Sequence, residues 1–103
     1  MAESSLKRKL VAIFSADVVE YSRLMGDDEE ETVHTLTRYR KIMFELIGKH
    51  RGRVVDSPGD NLLAEFNSVV DSLRCALAVQ KELTSRNDQL AETRRMKFRI
   101  GIN

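Results

Sequence analysis

A chain of 103 residues, 42% of them hydrophobic, has enough apolar side chains for one modest core and is expected to form a single domain over residues 1–103. Its 17 Lys and Arg residues against 16 Asp and Glu leave a formal net charge of +1, with cations and acids interleaved, which argues against a dedicated nucleic-acid or membrane surface. The lone cysteine, Cys75, excludes an internal disulfide.

Lys7-Arg8-Lys9 ahead of an apolar run imitates the start of a signal peptide, but Asp17 and Glu20 cut that run off near the minimum length of a signal h-region. The expectation is a cytoplasmic chain without a membrane segment, beginning with a buried strand. Leu10 to Val19 is apolar nearly without alternation, as in a covered central strand. Glu20 to Met25 can then turn once as a short helix ended by Gly26. In the acidic block Asp27-Asp28-Glu29-Glu30-Glu31, Asp27 offers an N-cap with Glu30 three residues on, and the carboxylates suit the positive end of a helix dipole. Val33, Leu36, Met43 and Ile47 fall near one face of a long helix closing at Gly48 or Gly52. Arg53-Val54-Val55 is a short strand. Ser57-Pro58-Gly59-Asp60 has Pro and Gly at the central positions of a type II turn, which would give Gly59 a positive φ and reverse the chain into the strand Leu62 to Phe66. Ser68 and Asp71 form a second capping pattern, followed by an amphipathic stripe of Val69, Val70, Leu73, Ala76, Leu77 and Leu83. Asn87 to Arg95 is polar and reads as loop. Met96, Phe98 and Ile100 then alternate with Lys97 and Arg99 in a half-exposed strand.

The order strand, helix pair, strand, strand, helix, strand predicts an α+β fold of the ferredoxin-like βαββαβ plan, a four-stranded antiparallel sheet with helices on one face. The first and third strands are central neighbours in that plan and run in opposite directions. Asp17, at the end of the first, therefore lies near Asp60, at the start of the third. Taken singly, Asp17 reads as a helix cap and Asp60 as a turn residue. Together at one end of a sheet, beside a helix start, they suit a divalent metal held against a polyphosphate.

Three segments also resemble the catalytic domain of class III adenylate and guanylate cyclases, particularly the bacterial branch: residues 14–25 (FSADVVEYSRLM), residues 52–66 (GRVVDSPGDNLLAEF) and residues 98–103 (FRIGIN). Order and spacing agree, and the resemblance covers nearly the whole chain. It implies that Asp17 and Asp60 are catalytic and bind two ions, Mg²⁺ or Mn²⁺, with the backbone carbonyl of Val18 as a further ligand. It implies a nucleoside triphosphate substrate, ATP or GTP, converted to cyclic nucleotide and pyrophosphate by two-metal chemistry. The amides around Glu20, Tyr21 and Ser22, with the Ser22 hydroxyl, would cradle the phosphates, and Gly59 would shape the turn beside them.

This sequence departs from the family in three places. Glycine is common where Glu20 stands, so the Glu20 side chain must point away from the phosphates. At the position of Asp56 the family commonly has lysine for adenine or glutamate for guanine; an aspartate there is either a shorter acceptor for a guanine edge or a turn-flanking residue without a ligand, which leaves the purine open. The 103 residues do not include the later segment of the family that bears an asparagine and an arginine, supplied in a homodimer by the partner subunit. The resemblance therefore implies an N-terminal half-site without turnover on its own, because removing a cation aimed at developing phosphate charge costs several kcal/mol of barrier.

The rival reading is a non-catalytic nucleotide-binding or dimerisation module of the same fold. A diguanylate-cyclase-like domain expects a Gly-Gly-Asp/Glu-Glu-Phe turn, which Ser57-Pro58-Gly59-Asp60 does not supply. Other chemistry is weak. His34 and His50 are not spaced to meet, Arg38-Tyr39-Arg40-Lys41 reads as a solvated helix face, and Tyr21 and Tyr39 read as packing residues. Cys75, among Leu73, Ala76 and Leu77, reads as a small core side chain.

Overall fold

The computed structural model describes residues 11–103; Leu10 and the basic triplet Lys7-Arg8-Lys9 lie outside the described residues. Strand β1 (Ala12–Val18) leads into a short helix α1 (Tyr21–Asp27) and a long helix α2 (Glu29–Lys49). The hairpin β2 (Gly52–Asp56) and β3 (Leu62–Phe66) follows, then helix α3 (Val69–Asn87), a 3₁₀ turn (Glu92–Arg94) and β4 (Phe98–Ile102). The sheet order is β2-β3-β1-β4 with every pair antiparallel, which is the expected ferredoxin-like topology.

Alternation in β1 sets the layers. Ala12, Phe14, Ala16 and Val18 are buried, while Ser15 is exposed and Asp17 half-buried on the opposite face. Phe14 packs on Phe66 with ring centroids 5.8 Å apart, and Leu24, Met43, Ile47, Val79, Leu83 and Met96 complete the core under the helices. The ring of Phe66 lies over Gly52, its register partner, so closely that a Cβ there would overlap it. The free face of the sheet is left to the site.

Several local details differ from the sequence reading. Asp28, not Asp27, caps α2, its Oδ1 accepting the Glu31 N–H at 3.1 Å; both aspartates have a glutamate three residues on, and α1 continues through Gly26 to Asp27. The left-handed residue after α2 is Arg51, with φ of 65°, not a glycine. Ser68 caps α3 as expected, accepting from Asp71 N–H at 3.2 Å. The face of α3 turned to the sheet, however, is Ser72, Cys75, Val79 and Leu83, whereas Val69, Val70, Leu73 and Leu77 are exposed, as is Val33 on α2. Small side chains at Ser72 and Cys75 let the helix approach the sheet closely, which leaves the bulkier stripe outside.

The polar connection after α3 is held by Asn87. The Tyr39 hydroxyl donates to Asn87 Oδ1 at 2.7 Å, the Met96 N–H donates to the same oxygen at 3.0 Å, and Asn87 Nδ2 donates to the Met96 carbonyl at 2.9 Å. Burial pushes the Tyr39 phenol above its ordinary pKa, which keeps it a neutral donor. Arg94 reaches back to Thr32 Oγ1 at 2.6 Å and the Asp28 carbonyl at 3.3 Å, closing the corner between α1 and α2. No helix among the described residues is long and apolar enough to cross a membrane.

Candidate functional site

The β2–β3 turn carries one half of the site. Asn61 N–H donates to the Pro58 carbonyl at 2.9 Å, so the hydrogen-bonded turn is Pro58-Gly59-Asp60-Asn61, one residue later than the expected frame. Gly59 does have a positive φ, 56°, but it occupies the first central position of that turn, within the five-residue connection between β2 and β3. Arg40 on α2 donates to the Gly59 carbonyl and holds the turn from the helix side. Asp60 then points back along the sheet, and its Oδ2 accepts the backbone N–H of Val18 at 3.2 Å.

The other half is the end of β1. Ile13 exchanges both backbone bonds with Asn103 and Val19 N–H donates to Lys97, so odd-numbered residues of β1 bond toward β4 and even-numbered ones toward β3. Val18 therefore directs both its N–H and its carbonyl toward the side where Asp60 sits. Asp17, on the free face, is paired with Arg99 of β4, whose Nε donates to Asp17 Oδ1 at 3.0 Å. The fold thus gathers Asp17, Val18 and Asp60 at one end of adjacent central strands.

An open groove of about 330 Å³ runs beside them, lined in part by Ser15, Asp17, Asp56, Pro58, Asn61 and Leu63. Asp56 follows a register irregularity in the β2–β3 ladder and is exposed, its Oδ1 accepting the Ser57 N–H at 2.8 Å. Glu20, Tyr21 and Ser22 are not in this groove; they form the start of α1 on the far side of Val18. Glu20 sits in the left-handed region, with φ of 58° and ψ of 40°, the backbone state that favours glycine. Its side chain turns to Arg23, Oε1 accepting from Nε at 2.5 Å, and that hydrogen bond raises the Arg23 pKa. The acid is charge-paired along the helix.

Among the described residues no group of three or more His, Cys, Asp and Glu side chains converges as a metal centre. Two carboxylates and a backbone carbonyl still fit Mg²⁺ or Mn²⁺, hard cations that take one or two carboxylates and complete their shell with water and substrate phosphate oxygens. The sequence reads Arg40 as part of a solvated helix face and Arg99 as an outward strand residue; in the structure Arg40 holds the turn at Gly59 and Arg99 pairs with Asp17. The Arg99 contact follows from strand register, while Arg40 carried no local signal.

No family model matches the chain. A protein of Rhizobium meliloti (strain 1021) named "Putative adenylate cyclase 3" is 44% identical over 105 residues, covering all of this chain and 18% of that protein. A solved structure of an adenylate/guanylate cyclase/hydrolase from Silicibacter pomeroyi superposes with a TM-score of 0.84 at 36% identity, over 94% of this chain and 57% of that one. The chain is a relative of the class III adenylate and guanylate cyclase domains. This cyclase relative spans less than two thirds of either protein. It is also 28% identical over 101 residues to serine/threonine-protein kinase pkn2 of Myxococcus xanthus, covering 97% of this chain and 12% of the kinase.

Proposed function

We propose that this chain is the N-terminal part of a nucleotide cyclase catalytic domain, holding the metal and phosphate half of a site that forms cyclic nucleotide and pyrophosphate from ATP or GTP. The observation that carries the reading is the Asp60 to Val18 bond, which ties the turn carboxylate to the end of β1 where Asp17 projects. Asp17, Asp60 and the Val18 carbonyl would hold two Mg²⁺ or Mn²⁺ ions. Such ions, when bound, supply activation of the ribose 3′-hydroxyl and charge neutralisation on the triphosphate.

The chain's own residues supply binding and orientation. The amides at Tyr21 and Ser22 and the Ser22 hydroxyl meet the phosphates, with Glu20 held aside by Arg23. Gly59 lets the turn present Asp60. Asp56 lines the groove with Asp17, and in this reading it accepts from a purine edge, with ATP and GTP both open. We further propose a homodimer in which the partner subunit contributes cationic and base-contacting groups, and assign the protein to the cytoplasm.

The test is to incubate the purified chain with ATP or GTP and Mn²⁺, and to measure nucleotide binding and cyclic product beside an Asp17→Asn, Asp60→Asn double variant. Metal-dependent binding without product is the expected result. Product clearly above the double variant overturns the half-site reading. Absence of any metal-dependent binding instead supports a non-catalytic module of the same fold.

A further inference from the structure

We infer that Arg99 is the resident counterion of Asp17, and that a divalent cation enters this site by exchange with its guanidinium. The inference rests on the metal reading above. Register sets the pair, because Asp17 and Arg99 face each other directly across β1 and β4, and antiparallel partners project to the same face. Arg99 Nε donates to Asp17 Oδ1 at 3.0 Å, so a cationic donor already occupies one oxygen of this carboxylate.

The two carboxylates are held by donors of different kinds. Asp60 accepts from a neutral backbone amide, which can stay in place when a metal binds its other oxygen. Asp17 accepts from a full positive charge, which repels an incoming divalent ion and competes for the same oxygen. With 72% of the Arg99 side chain and 43% of the Asp17 side chain exposed, the pair is solvated and weak enough to be exchanged. Before metal arrives, the guanidinium offsets the negative charge that Asp17, Asp56 and Asp60 gather at this end of the sheet. Once released, it remains on the free face beside the groove.

The experiment titrates Mn²⁺ alone, without nucleotide, into the wild type and into Arg99→Gln, Arg99→Lys and Asp17→Asn, following free Mn²⁺ by electron paramagnetic resonance. Arg99→Gln should bind roughly three- to tenfold tighter, with a smaller dependence on ionic strength. Arg99→Lys, which keeps the charge, should stay near wild type, and Asp17→Asn should lose the binding. Equal or weaker binding by a folded Arg99→Gln overturns the exchange. On the unmodified chain, the Arg99 Nε–H resonance should shift as diamagnetic Mg²⁺ is added, and a resonance unmoved at saturation overturns it independently of any variant. If neither wild type nor Arg99→Gln binds Mn²⁺, the metal reading falls and takes this inference with it.

Discussion

The Asp60 carboxylate and the Val18 amide, 42 positions apart in sequence, are joined by one hydrogen bond of 3.2 Å that couples the β2–β3 turn to the end of the central strand. That single contact gives Asp60 both a structural and a proposed chemical role, and two substitutions separate them. Asp60→Asn keeps an acceptor oxygen for Val18 and should change stability by less than about 0.5 kcal/mol, while lowering Mn²⁺-dependent nucleotide binding at least roughly tenfold. Asp60→Ala removes the acceptor and should cost about 1 kcal/mol in urea unfolding. An Asn variant that binds metal and nucleotide like the wild type removes Asp60 from the metal site.

Glu20 adopts a backbone state that carries a cost for any side chain with a Cβ, and its pairing with Arg23 lies between half-exposed groups of little energetic weight. Glu20→Gly should therefore stabilise the chain by about 0.5 kcal/mol, the relief of strain exceeding the extra entropy of the unfolded glycine. It also removes a negative charge next to the amides proposed to hold phosphate, so nucleotide binding should tighten. A destabilised variant with weaker binding would show that the Glu20–Arg23 pair positions α1.

Gly52 has no room for a methyl group under the Phe66 ring. Gly52→Ala should cost on the order of 1–3 kcal/mol, because Phe66 is a buried core side chain that can move only by disturbing Phe14. Adding Phe66→Leu should recover part of that loss in a double-mutant cycle; additive losses would place the strain elsewhere.

The strand order, and with it the placing of Asp17 and Asp60 at the same end of adjacent strands, was legible because periodicity changes sharply at each element and the ferredoxin-like plan leaves those strand ends adjacent. What sequence alone did not settle were choices between near-equivalent local options. Asp27 with Glu30 and Asp28 with Glu31 fit the same capping rule, and only the path of the chain out of α1 selects Asp28. A Pro-Gly pair suits a type II turn with Pro58 first, yet within the five-residue connection the closing bond runs from Asn61 to Pro58 and puts Gly59 first. On α3, apolar residues lie on two sides, and the closeness of helix to sheet selects the side with Ser72 and Cys75. Asn87 could not be read as a core residue, since its partners Tyr39 and Met96 come from other elements. Arg99 was visible as an exposed strand residue, but its pairing with Asp17 needed the β1–β4 register.

Cys75 links burial to pH. The side chain is fully enclosed between α3 and the sheet, and that desolvation pushes its thiol from 9.0 up to about 11. Below pH about 9 the thiol is neutral in both folded and unfolded chains, so its contribution to stability is complete. Between about 9 and 11 the unfolded thiol ionises while the folded one does not, and stability falls as pH rises. The loss is on the order of 2 kcal/mol by the upper end of that window. Lys and Tyr side chains titrate in the same range, so the measurement is a difference: urea unfolding of the wild type and of Cys75→Ala at pH 8 and at pH 10.5. The wild type should be the more stable at pH 8, where the packed thiol fills space that alanine leaves empty, and most of that advantage should disappear at pH 10.5. An advantage that stays constant across the window would mean that the Cys75 thiol ionises in the folded chain as readily as in the unfolded one, and that the α3–sheet interface admits water at this position.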